Sequence, residues 1–121
     1  MKILVVEDDK LMLKAIVHNL QNKGYETLTA EDGFRALDII QHEKVDLIVS
    51  DIMMPNISGL ELLNLLKQFY YNNIPVILIS SLDKGDIILR SLGLGANDFV
   101  TKPIDFDKLF SLIDKYDKIK T

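Results

Sequence analysis

The sequence predicts an α/β fold in which a doubly wound parallel sheet is covered by helices on both faces. Five short apolar segments alternate along the chain with segments that have helical spacing. Three of the apolar segments, residues 3–6, 47–50 and 76–80, are almost continuously apolar rather than alternating with polar residues. Strands of this kind are typical of parallel sheets, because helices bury both of their faces.

Three strands and two helices are predicted in the first half of the chain. In order, they are a strand over 3–6, a helix over 10–23, a strand over 25–30, a helix that follows the turn at 32–33, and a strand over 47–50. In the first helix, Leu13, Ile16 and Leu20 recur at helical spacing. Asp9 precedes that helix as its expected N-cap, and Gly24 is expected to end it.

Two strands and three helices are predicted in the second half of the chain. They are a helix from 58 to about 70, a strand over 76–80, a weaker helix over 83–92, a strand at 99–100 and a helix that follows residue 105. Ser58 and Glu61 have the spacing of a capping box, and Asp105 is the expected N-cap of the last helix. Because crossover connections are right-handed, the flavodoxin-like strand order 2-1-3-4-5 is the natural arrangement for these five strands and five helices.

Length and composition limit the kind of protein. A chain of 121 residues is the size of one domain, so we expect residues 1–121 to form a single domain. The net charge of −4 argues against a nucleic-acid-binding surface on this domain, and the absence of cysteine excludes disulfides and thiol chemistry. The first apolar run stops at Glu7, too early for a signal peptide, and no run approaches the roughly 20 residues of a membrane span. We therefore expect a cytoplasmic protein without a membrane partner.

Polar residues follow the predicted strands at the edge where ligands bind in open α/β sheets. Glu7 and Asp8 follow the first strand, Asp51 ends the third, Ser80 ends the fourth and Lys102 follows the fifth. Three carboxylates in one cleft would raise one another's pKa values, and a divalent cation would relieve their repulsion. An all-oxygen site suits Mg²⁺, which also accepts phosphate oxygens as ligands. These residues therefore predict Mg²⁺-dependent phosphoryl transfer to Asp51, which would give an aspartyl phosphate.

The same motifs resemble the receiver domain of the two-component response regulators. The resemblance covers the chain from Lys2 to about Tyr116. It depends on four motifs that occur in order along the chain. The first is the pair Glu7-Asp8, and the second is the segment that begins at Asp51, continues through Met53, Met54 and Pro55 and ends at Gly59. The third is Ser80, and the fourth is the pair Lys102-Pro103. Each motif is weak by itself, but the four together, on the predicted strand ends, are highly specific.

The resemblance implies a phosphorylation-activated signalling switch with Asp51 as the phosphoacceptor. Asp8 would bind Mg²⁺ directly and Glu7 through a water molecule, and Asp51 and the backbone carbonyl of Met53 would be further ligands. Lys102 would pair with the phosphoryl oxygens, and in the family its bond to the following proline is usually cis. The protein would not be an enzyme in the usual sense, since it would catalyse only its own phosphorylation and dephosphorylation.

The resemblance also implies how the phosphate is sensed and how long it lasts. Ser80 would hydrogen-bond the phosphoryl group, and Phe99 would swing inward behind it. Met53 and Leu82 flank the path of the water that hydrolyses the phosphate, and neither can orient that water by hydrogen bonding. We therefore expect a long-lived phosphate. Ser81 stands where the family usually has alanine or glycine, and its hydroxymethyl group would narrow access to Asp51 or add a hydrogen bond.

Three kinds of partner are implied by the resemblance. The phosphoryl donor would be a sensor histidine kinase or a phosphotransfer protein. A homodimer would form through the surface made by the fourth predicted helix, the fifth strand and the fifth predicted helix. An effector domain, for example a DNA-binding domain, would follow residue 121.

Alternative interpretations stay open at this stage. A phosphatase of the haloacid-dehalogenase type also forms an aspartyl phosphate, but it would need a second acid where this chain has Met53. A flavodoxin-like cofactor binder would need a phosphate-binding loop in place of the acidic residues after the first strand. A receiver-like scaffold that is never phosphorylated is disfavoured by the complete set of acids, serine and lysine. Considered alone, Ser80 and Phe99 are more easily interpreted as core residues.

Overall fold

The protein is built on one five-stranded parallel sheet, seen in a computed structural model that describes residues 1–54, 56–68, 73–81, 93 and 95–120. The strands are β1 (Lys2–Val6), β2 (Glu26–Ala30), β3 (Leu47–Asp51), β4 (Val76–Ser80) and β5 (Asp98–Thr101). All neighbouring strands are parallel, in the order β2-β1-β3-β4-β5. The predicted flavodoxin-like sheet is therefore confirmed, with β5 extended by one residue at each end.

Four helices lie in the described part of the chain. They are α1 (Lys10–Asn22), α2 (Gly33–His42), α3 (Gly59–Gln68) and the C-terminal helix (Phe106–Lys120). Each agrees with a predicted helix to within a few residues, whereas the helix predicted over 83–92 lies outside the described residues. None of the described helices is both long and apolar enough to cross a membrane.

The strands bury side chains on both faces of the sheet, which explains their unbroken apolar segments. Consecutive side chains of a strand point to opposite faces. In β1, Leu4 and Val6 pack with α2 and α3, whereas Ile3 and Val5 pack with α1 and the C-terminal helix. Complete burial of side chains of this size contributes roughly 1.5–3 kcal/mol each. This two-sided packing holds the end of β1 in a defined position.

Side-chain caps set the starts of three helices where the sequence predicts them. The Asp9 carboxylate accepts hydrogen bonds from the backbone N–H groups two and three residues later, at 3.0 and 3.2 Å. Ser58 and Glu61 each accept a hydrogen bond from the other's backbone N–H across the first turn of α3. The Asp105 carboxylate accepts a hydrogen bond from the N–H of Lys108 at 3.3 Å. Caps of this kind typically contribute about 1 kcal/mol.

Gly59 allows α3 to begin directly against the end of β3. A Cβ atom at this position would lie 2.5 Å from the backbone oxygen of Asp51 and 2.9 Å from the Cα of Ile52. Both are backbone atoms of a buried segment and cannot move aside. The Gly59 N–H also donates to the carbonyl of Ile52 at 2.9 Å. A side chain here would displace the backbone that carries Asp51.

We expect Gly59→Ala to lose about 1–3 kcal/mol of unfolding free energy, since it forces an extra carbon against fixed backbone. Gly93→Ala is the matched control, because a Cβ at Gly93 would meet nothing within 4 Å. Urea unfolding followed by circular dichroism measures both variants. A Gly59→Ala protein as stable as the Gly93→Ala protein would contradict the close approach of α3 to β3.

Candidate functional site

Acidic side chains meet at one edge of the sheet because β1 and β3 are neighbours. Their register pairs Val6 with Ser50, so Glu7 and Asp51, the next residue along each strand, come side by side. Glu7 is 1% exposed and Asp51 is 5% exposed. Asp8 is exposed to solvent, and one carboxylate oxygen from each of the three acids lies within 4.8 Å of the others. The structure thus brings together the three acids singled out in the sequence.

Lys102 joins the two buried acids. Its Nζ lies 2.8 Å from Asp51 Oδ2 and 3.2 Å from Glu7 Oε1. β4 separates β5 from β3, so these two strands lie about two strand spacings, roughly 10 Å, apart, and the side chains of Lys102 and Asp51 bridge this distance together. The long stem of lysine suits this reach. The Lys102 N–H donates to the carbonyl of Ser80 at 2.9 Å, and the Lys102–Pro103 peptide bond is cis, as the resemblance implied.

Backbone N–H groups hold the remaining oxygens of the two buried acids. The N–H of Met53 donates to Asp51 Oδ1 at 3.1 Å, and the N–H of Asp9 donates to Glu7 Oε2 at 3.2 Å. In both cases the N–H comes from the second residue after the acid. Each carboxylate therefore has one oxygen on a backbone N–H and the other on the lysine, and neither can rotate freely.

Comparison with known proteins places this constellation in a family. The family model of the response regulator receiver domain matches residues 3–114, which is most of the chain. This chain belongs to the response regulator receiver domains.

Relatives of this receiver domain include complete regulators and shorter proteins. It is 36% identical over 121 residues to the sporulation initiation phosphotransferase F of Bacillus subtilis, with coverage of 99% of this chain and 96% of that protein. It is 38% identical over 102 residues to the alkaline phosphatase synthesis transcriptional regulatory protein PhoP of Bacillus subtilis, covering 84% of this chain and 42% of that protein. The chain spans about half the length of several regulators that it matches.

A solved structure supports the same assignment. The receiver domain of the Francisella response regulator 1452 superimposes with a TM-score of 0.94 at 35% identity. The match covers 99% of this chain and 98% of that one. The complete described architecture is therefore that of a receiver domain.

Burial and charge set the electrostatics of the site. Burial, the largest effect, raises the pKa of Glu7 to about 7, and the negative charge of Asp51 raises it further. The hydrogen bond from the Asp9 N–H and the positive charge of Lys102 oppose this shift and lower the pKa. Burial by itself lowers the pKa of Lys102, but its hydrogen bond to Asp51 and the charges of both acids raise that pKa above its usual value. At neutral pH, Lys102 is therefore cationic, whereas the pKa of Glu7 lies close to the pH itself.

The donor set of the site fits Mg²⁺. Receiver domains bind Mg²⁺ through acidic residues, and Glu7, Asp8 and Asp51 here offer carboxylate oxygens within 4.8 Å of one another. Carboxylate oxygens are the ligands that Mg²⁺ prefers, and all three residues could direct one towards a shared ion. When bound, the ion would offset the repulsion between these carboxylates and an anionic phosphoryl group.

The other predicted site residues that the structure describes lie on or next to β4 and β5 and differ in burial. Ser80 is fully buried at the end of β4, beside the strand that carries Lys102. Phe99 is half-buried in β5 and packs against the core on the side of α2 and α3. Ser81 is exposed. Leu82 lies outside the described residues, so its expected effect on phosphate lifetime stays a prediction.

Sequence reasoning missed the backbone donors of Met53 and Asp9 and the contact between Lys102 and Glu7. A side chain that accepts a hydrogen bond from the N–H two residues later is a common local pattern for acidic and hydroxyl residues in turns. That signal was available for Asp51, which ends a strand and enters a turn. No local signal was available for the Lys102–Glu7 contact, because the residues are 95 positions apart.

Glu7 predicts a pH dependence of stability in the metal-free protein. Its pKa in the folded state is about 7, above the ordinary value of 4.5, so the folded state binds this proton more tightly than the unfolded chain does. Its contribution to stability is therefore greatest below pH 4.5 and is lost as the pH rises through 7, by up to about 3 kcal/mol.

Urea unfolding in chelator between pH 5.5 and 8.5 tests this expectation. Glu7→Gln should lose less stability than the parent across that range, because the amide does not titrate. Glu31→Gln, which changes an exposed glutamate, is the matched control and should follow the parent. Parallel pH profiles for the parent and Glu7→Gln would show that the protonation of Glu7 is not linked to folding.

Proposed function

We propose that residues 1–121 form a single receiver domain that works as a phosphorylation-activated signalling switch. Asp51 accepts a phosphoryl group from a sensor histidine kinase or a phosphotransfer protein in a Mg²⁺-dependent reaction. The observation that carries the proposal is the setting of Asp51, a buried carboxylate 2.8 Å from the Lys102 ammonium and grouped with two further acids. A buried acid held in this way is poised to be a nucleophile rather than a surface charge.

The transfer step needs positioning and charge compensation more than acid–base chemistry. An oxygen of Asp51 forms a bond to phosphorus, and the phosphorus–nitrogen bond to the donor histidine breaks. The imidazole leaves with the electron pair of that bond. Because Met53 and Lys102 already fix the Asp51 carboxylate, little reorganisation is needed before the attack.

Lys102 hydrogen-bonds to two acids, so its ammonium group can keep one contact while the negative charge shifts from the Asp51 carboxylate to the phosphoryl group. Its ammonium donates to Asp51 and to Glu7 in the structure. An aspartyl phosphate carries about −1.5 to −2 charges on its phosphoryl oxygens. We infer that the ammonium keeps its contact with Glu7 and exchanges Asp51 Oδ2 for a phosphoryl oxygen. Asp8, Asp51 and the Met53 carbonyl would hold Mg²⁺ directly, and Glu7 would hold it through a water molecule.

The output surface includes β5 and the C-terminal helix. Asp98, the first residue of β5, accepts hydrogen bonds from Lys115 Nζ at 3.0 Å and from the hydroxyl of Tyr116. A displacement of β5 on phosphorylation would therefore be transmitted to the helix. We propose that Ser80 and Phe99 couple the phosphate to this surface, which would then control a homodimer contact or an effector domain.

Asp51→Asn is expected to abolish phosphorylation, because the amide cannot act as the nucleophile. Incubation with acetyl phosphate and Mg²⁺, followed by intact-mass measurement, reports the yield. Asp38→Asn removes an exposed acid from α2 and should keep the yield of the parent. Undiminished phosphorylation of Asp51→Asn would refute the assignment of the phosphoacceptor.

Removal of Mg²⁺ is expected to stop phosphorylation, since the clustered carboxylates would repel the incoming phosphoryl group. Asp8→Ala should weaken Mg²⁺ binding by about tenfold or more, because it removes a direct ligand oxygen. An NMR titration with Mg²⁺ measures the affinity, and Asp38→Asn again provides the control. Equal yields in Mg²⁺ and in chelator would contradict the metal requirement.

A further inference from the structure

Met53 is the most exposed methionine of the protein. The chain contains four methionines, and all four lie in the described part. The other three, Met1, Met12 and Met54, are half-buried and pack against the core. The Met53 residue is 60% exposed. A peroxide in solution would therefore reach this sulfur before the others.

The backbone of Met53 is tied to the proposed phosphoacceptor. Its N–H donates to Asp51 Oδ1 at 3.1 Å. The segment that follows returns to β3, where the Gly59 N–H donates to the Ile52 carbonyl at 2.9 Å. Met53 is thus held through its backbone beside the carboxylate, while the residue as a whole is largely exposed to solvent. A change in the polarity of the Met53 side chain would therefore take place next to the acidic site.

We propose that Met53 is an oxidation site, and that its sulfoxide shortens the lifetime of the phosphate on Asp51. The proposal depends on the proposed function of Asp51. The reaction with hydrogen peroxide is a two-electron oxidation of the sulfur. The sulfur attacks one peroxide oxygen, a sulfur–oxygen bond forms and the oxygen–oxygen bond breaks. The remaining hydroxide takes up the proton of the transferred oxygen and leaves as water, which gives the sulfoxide.

The sulfoxide changes how water is arranged near the phosphate. A thioether is only a weak hydrogen-bond acceptor, whereas a sulfoxide oxygen is a strong one. Hydrolysis of an aspartyl phosphate needs a water molecule in line with the oxygen–phosphorus bond, and positioning is a large part of the catalysis. An acceptor carried by Met53 can hold such a water molecule, which the apolar side chain cannot do. Oxidation of Met53 would therefore return the protein to its unphosphorylated state sooner.

The experiment compares phosphate loss before and after oxidation. The parent protein is treated with limiting hydrogen peroxide, and peptide mass spectrometry locates the added oxygen. Treated and untreated proteins are then phosphorylated with acetyl phosphate in Mg²⁺, the donor is removed and phosphate loss is followed by intact mass. Oxidation is expected at Met53 first, with phosphate loss about threefold or more faster. Methionine sulfoxide reductase should restore the slow rate.

Three variants isolate the contribution of Met53. In Met53→Leu, peroxide should leave the rate of phosphate loss unchanged from its untreated value, because the thioether is gone. Met54→Leu removes the neighbouring, half-buried thioether and should respond to peroxide as the parent does. Met53→Gln places a permanent acceptor at the position and should lose phosphate faster than Met53→Leu without any oxidant.

The outcomes separate this proposal from the function on which it depends. If the untreated parent takes up no phosphate, the proposed function fails and this proposal fails with it. If the untreated parent is phosphorylated but the oxidised parent loses phosphate at the same rate, or takes up none, only the oxidation proposal is overturned. An equal acceleration by peroxide in Met53→Leu would likewise overturn it, because another residue would then be responsible.

Discussion

The burial of two neighbouring carboxylates against one lysine is the constraint on which the rest of the site depends. Glu7 and Asp51 are almost completely buried, and the desolvation of each charge costs several kcal/mol unless partners compensate for it. Lys102 bonds to both acids, and a backbone N–H reaches the other oxygen of each. One cation does not neutralise three nearby acids, so the site stays electronegative and suited to a divalent ion.

The sheet supplies the rigidity that this arrangement requires. β1 and β3 lie side by side with core on both faces, so their carboxyl ends cannot slide relative to each other. The start of α3 then closes against β3, where only the glycine at position 59 allows the backbones to approach. Interior packing at this density tolerates little displacement. Asp51 is therefore positioned by secondary structure rather than by a flexible loop.

β5 connects the acidic site to the opposite part of the molecule. The strand begins at Asp98, which hydrogen-bonds to the C-terminal helix, and it ends just before Lys102, which bonds to Asp51. One short strand is thus linked through polar contacts to Asp51 at one end, by way of the adjacent Lys102, and to the helix at the other. A displacement of Lys102 could therefore reach the C-terminal helix through this one strand.

The sequence by itself determined the sheet, most of the helix starts and the identity of the acidic cluster. Unbroken apolar segments indicated strands buried on both faces, and Asp9, Ser58 and Asp105 marked helix starts, because these signals arise from burial and from hydrogen bonds within one turn. The strand order then placed Glu7 beside Asp51, since adjacent parallel strands end at the same edge.

Only the tertiary structure decided how the acids are held. Lys102 reaches Glu7 as well as Asp51, at 3.2 and 2.8 Å, and Gly59 lies against the backbone of Asp51. The lysine contacts join residues 95 and 51 positions apart and depend on the spacing of the strands, and the glycine contact depends on the path of the turn between β3 and α3. Local sequence patterns do not specify those distances, which are set only when the whole sheet is assembled.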